Sequence, residues 1–384
     1  MTWNKESITL LGIAYNRHGG APFGINLADR LLHLYVIGQT GTGKSTLLRN
    51  LATQDAAQGH GFCLIDPHGD LASDLSHTLE ANHLYWDVSD PRSPWGYNPI
   101  THTSKYFRPL VASGLIETLK QQWADAWGAR MEHLLRYAIL ALLETPDADI
   151  RDIMRLYIDK SFRYQVVGQV TDEQVRYFWL TEYPKMNYQS TADGVSSIAN
   201  KLGALLAHPL VRRAVCEPKE PLRFRKLMDE GQGLIVNLAK GRIGADVANV
   251  VGGLLVSSFM NAAFTRYNLP TAKRRPFFLY VDEFHTFTTG AFASMMAEAR
   301  KYGFGVTLAH QHIVQADTDV YEAVLGNVGS LMVFRVGAND APLISRQLPN
   351  IAPEDLISLP NHQAYMQLMV DGHKRPPFSM RTFP

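Results

Sequence analysis

The chain is poor in the features that would assign it quickly to several common classes. It has only two cysteines, Cys63 and Cys216, with no metal-ligand spacing between them, which excludes a disulfide scaffold or a cysteine-based zinc site and fits a reducing compartment with both thiols as core filler. It has almost no net charge, +1 over 384 residues, so no bulk field draws it to nucleic acid or an anionic membrane, and any such contact must come from local clusters. Met1–Leu11 mixes charged and polar residues without an apolar core, so it does not read as a signal peptide. The longest apolar stretch, Val247–Phe264, is interrupted by Asn249, Ser257, Ser258 and Asn261. It reads as a buried helix rather than a bilayer span, which takes about 20 apolar residues with few polar ones, and no transmembrane segment is expected. Internal repeats and low-complexity linkers are also missing. What remains, 46% hydrophobic and 19% charged, suits a soluble α/β protein with a sizeable core, either one large domain with an insert or two domains.

Residues 36–47 read Val-Ile-Gly-Gln-Thr-Gly-Thr-Gly-Lys-Ser-Thr-Leu. Gly38, Gly43, Lys44 and Ser45 fill the fixed positions of the phosphate-binding loop G-x-x-x-x-G-K-[ST]. An apolar strand-like run, Leu34–Ile37, precedes the loop and a helix-like run, Ser45–Ala52, follows it, the context in which that pattern becomes a site. The predicted nucleotide-binding stretch comprises Gly38, Thr40, Gly41, Thr42, Gly43, Lys44, Ser45 and Thr46. Backbone N–H groups of Gly41 to Ser45 are expected to wrap the β-phosphate at the positive end of the helix. Lys44 would reach the β- and γ-phosphates, and the Ser45 hydroxyl would take one position on Mg²⁺. The ligand expected is ATP with Mg²⁺.

Further apolar runs follow at Gly61–Ile65, Leu84–Asp87 (an edge candidate), Gly233–Leu238, Phe277–Val281, Val306–Ala309, Leu331–Val336 and Ala364–Val370. They predict a buried parallel sheet with covering helices. Between them, from about Tyr106 to Glu217, apolar residues recur at three- and four-residue spacing with no strand signal, predicting an all-α insert. The expected organisation is a first nucleotide-binding segment over 1–105, an all-α inserted domain over 106–217 and a second nucleotide-binding segment over 218–384. The tail, His373–Pro384, reads as irregular.

Phe277–Val281 ends in Asp282-Glu283. After a core strand, Asp282 would hold Mg²⁺ through water and Glu283 would polarise the attacking water. A glutamate directly after the aspartate is the arrangement of RecA-like ATPases and argues against a nucleotide kinase. Val306–Ala309 runs into His310-Gln311. In a RecA-like sheet the strand between the phosphate-loop strand and the acid strand carries a polar γ-phosphate sensor, here Gln311, while His310 and His312 read as ordinary hydrogen-bonding histidines. Arg300 and Lys301 close a helix between those strands, where cations are electrostatically ordinary. An alternative is that Arg300 serves as an arginine finger for a neighbouring subunit. Lys240 and Arg242, set among glycines after a core strand, either meet DNA phosphates in a pore or are solvated, and Lys273-Arg274-Arg275 reads as a solvated turn.

With these residues in place, the chain resembles the TraD/TraG-type motor domain of type IV secretion (conjugative) coupling proteins, in the HerA/FtsK superfamily of P-loop ATPases. The matching stretches are His33–Leu48, Leu64–Leu71, Trp95–Pro99, Trp127–Leu143, Asn237–Gly244, Leu279–Glu283, Ala297–Gln311 and Leu325–Val336. The resemblance implies a RecA-like fold with an all-α insertion and a homo-oligomeric ring of six subunits, with nucleotide at the interfaces and DNA in the channel, gripped without regard to sequence. It also implies catalytic roles for Lys44, Glu283, Arg300 (in trans) and Gln311, a metal-binding role for Ser45 and Asp282, and Arg335 as the runner-up finger. The expected activity is ATP hydrolysis driving DNA translocation, coupled to a secretion or conjugation channel and its relaxosome proteins. The expected location is the cytoplasm, peripheral to the inner membrane through partners. One departure is that members of this kind usually carry transmembrane helices ahead of the motor. Either the chain is a soluble member, or an anchor is missing or supplied by a partner. The soluble case favours a second reading, a HerA-like translocase or helicase working with a nuclease; a third is a substrate-docking receptor whose helical insert, Tyr106–Glu217, binds protein substrates and which uses ATP as an assembly switch.

Overall fold

The computed structural model describes residues 7–16, 19–80, 83–101, 103–186, 188–313 and 318–384. Residues 1–6, within the segment assessed for a leader, therefore lie outside it. Fifteen strands are present among the described residues: β1 Ile8–Asn16, β2 Gly19–Asn26, β3 Leu34–Ile37, β4 Gly61–Asp66, β5 His83–Asp87, β6 Trp95–Gly96, β7 Glu220–Pro221, β8 Gly233–Asn237, β9 Phe277–Val281, β10 Phe304–His310, β11 Ser330–Val333, β12 Gln363–Gln367, β13 Met369–Val370, β14 His373–Lys374 and β15 Phe378–Thr382. Eleven of them form one sheet in the order β2-β1-β15-β12-β11-β3-β10-β9-β4-β8-β5. From β11 to β8 the neighbours run parallel. β3, β4, β9, β10 and β11 are buried along their whole length, which explains why they read as unbroken apolar runs rather than alternating ones. The α/β, RecA-like fold class expected from the sequence is the one observed. The phosphate-loop strand β3 and the acid strand β9 are separated by β10, the strand that leads to Gln311.

Two expectations fail on the other side of β11. Ala364–Val370 does not extend the parallel sheet. It divides into β12 and β13, and β12 runs antiparallel to β11. The tail is not irregular either. Pro376 and Pro377 cannot donate to a ladder, but the strand starts just after them. β15 pairs antiparallel with both β12 and β1, burying Met380 and Thr382 on one face. The β1–β2 hairpin, with a register shift between Leu10 and Gly12, completes this extension.

Beneath the sheet, Arg30 is pinned in a wholly buried network. It makes a bidentate pair with Asp55 at 2.5 and 2.8 Å, donates to Thr9 and Tyr280, and stacks on Phe278 with its guanidinium carbon 3.7 Å from the ring centroid. Burial works against the Asp55 carboxylate, yet Arg30, His60 and Tyr280 hold it below the ordinary carboxylate range.

The described chain divides into two compact units, Met1–Tyr85 with Phe224–Leu238 and Ala262–Pro384, and Trp86–Arg223 with Ala239–Asn261. Among its described residues the second is mainly helical and contains the short parallel pair β6–β7. Its helices include Arg108–Gln122, Ala129–Leu142, Arg151–Ile158, Lys160–Gln169 and Tyr188–Ala207. They pack through residues such as Ile116, Leu134, Ile139, Leu156 and Phe178, with Tyr137 stacked on Phe178 at 4.1 Å between centroids. The segment Ala245–Asn268 is long and apolar enough to cross a membrane by length and composition alone, and 67% of its most apolar window is buried in the protein.

Candidate nucleotide-binding and catalytic site

The first unit brings the ends of β3, β9 and β10 together at the C-terminal edge of the parallel sheet, where ligands of open α/β sheets bind. Out of β3, residues 38–43 form a loop that opens the helix Lys44–Ala57. Its glycines are needed for geometry. Gly43 takes φ 116°, and a Cβ there would come 2.9 Å from the His362 ring. At Gly38 a Cβ would come 2.5 Å from Phe334. The loop is laced to its surroundings: Gly38 N–H donates to His310 O at 3.1 Å, Gln39 N–H to Arg335 O at 2.8 Å, and His362 N–H to Thr42 O at 2.8 Å. Thr42 Oγ1 donates to Gln39 O at 2.7 Å. Lys44 Nζ lies inside the loop, donating to Gly38 O at 2.5 Å and Gln39 O at 3.1 Å. Burial pushes the Lys44 pKa down, against the pull of Asp282 and Glu283. Ser45 and Thr46 sit in the first turn of the helix, Ser45 exposed.

Asp282 and Glu283 follow β9 and are both buried. Glu283 adopts a left-handed backbone, φ 49°, an uncommon conformation for a non-glycine residue that clusters at functional sites. Asp282 Oδ1 accepts from Glu283 N–H at 3.0 Å. Burial, Glu283 and Asp66 raise the Asp282 pKa to about 6, and Lys44 only partly offsets them. The Glu283 side chain is held by two neighbours. Gln311 Nε2 donates to Oε1, and His285 Nδ1 lies 3.6 Å from Oε2. Gln311 Oε1 in turn accepts from Thr40 Oγ1 at 2.8 Å. The phosphate loop, the Gln311 amide and the glutamate thus form one hydrogen-bonded chain.

Of the residues singled out in the sequence, Lys44, Asp282, Glu283, Gln311 and Thr40 are brought together. Arg300 is not. It is exposed in the turn Arg300–Tyr302, which precedes β10, whereas Gln311 follows it. Seven residues of strand at about 3.3 Å each place it at the opposite sheet edge from its own phosphate loop. Arg335 lies against that loop, with Nε 3.3 Å from Gln39 Oε1. His310 is wholly buried with Nδ1 3.2 Å from Tyr35 OH. Burial, with His285, His312 and Lys44 nearby, lowers its pKa to about 3, so the ring is neutral. Sequence reasoning did not assign roles to Asp66, His285, Gln39 or His362. Asp66 ends β4 beside β9 and accepts from His68 N–H and Ala72 N–H, both at 2.9 Å. Only its position after a core strand signalled it. His362 reaches the loop from far along the chain and left no local signal.

The donor set fits Mg²⁺. A hydroxyl and a carboxylate are hard oxygen ligands, and Mg²⁺ ordinarily takes only one or two protein ligands beside phosphate and water. The raised pKa of Asp282, crowded by two other carboxylates, is a charge pattern that a cation would relieve. Among the described residues no cluster of three or more His, Cys, Asp or Glu forms an all-protein metal cage.

Comparison with solved structures finds the same fold. The bacterial conjugative coupling protein TrwBdeltaN70 superposes with a TM-score of 0.69 at 18% identity, over 100% of this chain and 90% of its own. Plasmid coupling protein TrwB in complex with the ATP analogue ADPNP gives 0.66 at 21% identity, over 93% and 86%. VirB4 of Thermoanaerobacter pseudethanolicus gives 0.69 at 14% identity, over 100% and 98%. At these identities the likeness concerns the fold. No curated protein matches the chain by sequence. The profile of the family described as helicase HerA, central domain, does match, over residues 16–251. That match begins at the end of β1, runs through the phosphate loop and β4 and takes in more than half of the chain, so the protein belongs to the HerA helicase central-domain family.

Proposed function

We propose that this protein is an ATP-driven DNA translocase motor, acting as a homo-hexameric ring in the cytoplasm and delivering DNA to a secretion or conjugation channel. The observation that carries the reading is the convergence of Lys44, Asp282, Glu283 and Gln311 at one sheet edge, with Glu283 hydrogen-bonded by Gln311. ATP would lie along Gly38–Thr46, its phosphates met by the loop N–H groups and Lys44. Ser45 and Asp282 would hold Mg²⁺, which when bound neutralises charge on the phosphate oxygens. Glu283 orients a water toward the γ-phosphorus and takes its proton as the bond to the β-phosphate oxygen breaks. Gln311, beside both the glutamate and the loop, registers the γ-phosphate. Arg300, remote from its own loop and exposed, is the cation offered to the neighbouring subunit, a contribution on the order of 10³–10⁵ in rate where such fingers operate. That solved TrwB structures hold ADPNP, and ADP with Mg²⁺, supports the choice of nucleotide and metal. DNA would be gripped through its backbone, without sequence readout.

The family match favours a second reading, a HerA-type translocase working with a nuclease rather than a secretion channel. Co-purification separates the two. The shared motor reading is tested by ATP turnover with and without DNA. It requires DNA-stimulated turnover in the wild type that is lost in Lys44→Ala and Glu283→Gln. Unchanged turnover in Glu283→Gln removes the catalytic assignment.

A further inference from the structure

The opposite edge of the sheet carries a device that the motor reading leaves unused. His33 immediately precedes β3, the strand that ends in the phosphate loop. It is 2% exposed and adopts φ 70°, a left-handed backbone uncommon for a non-glycine residue, though histidine and asparagine enter it more readily than most. Both ring nitrogens are committed. Val306 N–H, in β10, donates to Nδ1 at 3.1 Å. That fixes the proton on Nε2, which donates to Met296 O at 2.9 Å. Burial, opposed by the bond to Met296 O and reinforced by Arg300, lowers the His33 pKa to about 4, so this tautomer persists at neutral pH. Met296 belongs to the helix Gly290–Ala299, whose next residue is Arg300.

The turn carrying Arg300 is also clamped from its far side. Arg266, itself wholly buried, donates to Tyr302 O at 2.9 Å. Arg274 donates to Lys301 O, and its guanidinium lies over the Tyr302 ring. The run Lys273-Arg274-Arg275, expected to be a solvated turn, instead spends Arg274 and Arg275 on backbone carbonyls. The Arg300 backbone is therefore held while its side chain is exposed. The one bond in this set that comes from the foot of the phosphate-loop strand is that of His33.

We propose that His33 is a positioning residue for Arg300, linking the foot of the phosphate-loop strand to the helix that presents this arginine to the neighbouring subunit. The link gives each subunit a short mechanical path: nucleotide at Gly38–Ser45, strand β3, the His33 imidazole, the helix Gly290–Ala299 and then Arg300. What happens at one nucleotide thereby bears on the next. This inference rests on reading Arg300 as a cation acting in trans.

Two substitutions divide the bonds of the imidazole between them. In His33→Asn the amide oxygen replaces Nδ1 as acceptor from Val306 N–H, asparagine tolerates the left-handed backbone, and the side chain is too short to reach Met296 O. In His33→Gln the amide nitrogen replaces Nε2 and keeps the bond to the helix. The experiment measures DNA-stimulated ATP turnover of the full chain, binding of a fluorescent ATP analogue and mass of the assembly, in both variants, with and without Arg300→Ala. The expected result is a kcat lower by about tenfold to a hundredfold in His33→Asn, with nucleotide affinity and assembly mass unchanged, and near-normal kcat in His33→Gln. In the Arg300→Ala background neither substitution lowers kcat further. A His33→Asn effect that persists in that background overturns the inference and leaves the finger intact. An unchanged kcat in Arg300→Ala alone overturns the finger reading and the inference with it. Should His33→Asn prove unstable, amide exchange decides: faster exchange confined to Gly290–Tyr302 supports the link, and a rise spread over the whole sheet overturns it.

Discussion

Thr40 Oγ1 lies 2.8 Å from Gln311 Oε1, and through the Gln311 amide the tip of the phosphate loop is tied to the Glu283 carboxylate. This pair joins β3 to β10, neighbours in the sheet but far apart in the chain. The base of the proposed hydrolysis is thus oriented by a side chain that also faces the nucleotide loop. Gln311→Ala is expected to lower kcat for ATP by about 10²–10³-fold, the usual cost of one preorganised donor, while ATP affinity stays near wild type. Stopped-flow binding and steady-state turnover separate the two. A loss confined to affinity would contradict this role.

Arg300 and Lys44 stand at opposite sheet edges, so a shared site must combine two chains. Lys44→Ala and Arg300→Ala should each keep only a small residual turnover alone, with Arg300→Ala lower than wild type by on the order of 10³-fold or more. Mixed in equal amounts and reassembled, they should regain turnover at about a quarter of the interfaces, where an intact loop faces an intact arginine. No recovery on mixing, with mixed assemblies verified by mass, argues against a finger in trans.

The Asp282 carboxyl, with its pKa raised to about 6 by burial and by Glu283 and Asp66, is a functional group kept at a cost in stability. A carboxyl whose folded pKa exceeds its unfolded value binds more protons folded than unfolded, so stability falls as pH rises from about 4 to about 6. Asp282→Asn removes that term. The nucleotide-free variant is expected to melt higher than wild type at pH 7–8, by up to on the order of 3 kcal/mol, with the gain disappearing near pH 4, and to lose ATP turnover. Equal melting temperatures across the pH range contradict the assignment.

Much of this site is legible in the sequence because its parts are local. A phosphate loop is one contiguous pattern, and Asp282-Glu283 follows an apolar run of five residues. The position of Gln311 needs one further step, the order of three parallel strands, and that order is observed. The supports of the loop are different. Arg335 and His362 meet it from distant segments, and no pattern near Gly38 announces them. The antiparallel half of the sheet was hidden for another reason. β2 is largely exposed along its first residues and β1 has a register shift near Leu10, so neither shows clean alternation, and the prolines before Phe378 masked β15. His33 and Arg274 were opaque because a buried imidazole or guanidinium that serves backbone carbonyls is indistinguishable in sequence from an ordinary polar residue.

The Arg30–Asp55 pair carries the largest stability prediction. Asp55→Asn leaves the Arg30 guanidinium buried without its counter-charge, a loss expected to reach about 3–5 kcal/mol, read as a lower urea midpoint. Because the folded pKa of Asp55 is depressed, the wild-type stabilisation is present above the unfolded carboxylate range and vanishes as pH falls through the folded value. The variant and wild type should therefore converge in stability in strong acid. A difference independent of pH would indicate a packing effect instead.

The most direct test of the account is movement along DNA itself, followed as displacement of a labelled third strand from a triplex-bearing duplex. The wild-type chain is expected to strip the third strand only when ATP is present, and Glu283→Gln is expected to bind ATP yet leave the triplex intact. Displacement by Glu283→Gln at the wild-type rate, or brisk ATP turnover by the wild type with no displacement, would contradict the assignment of this site to a DNA-pumping motor.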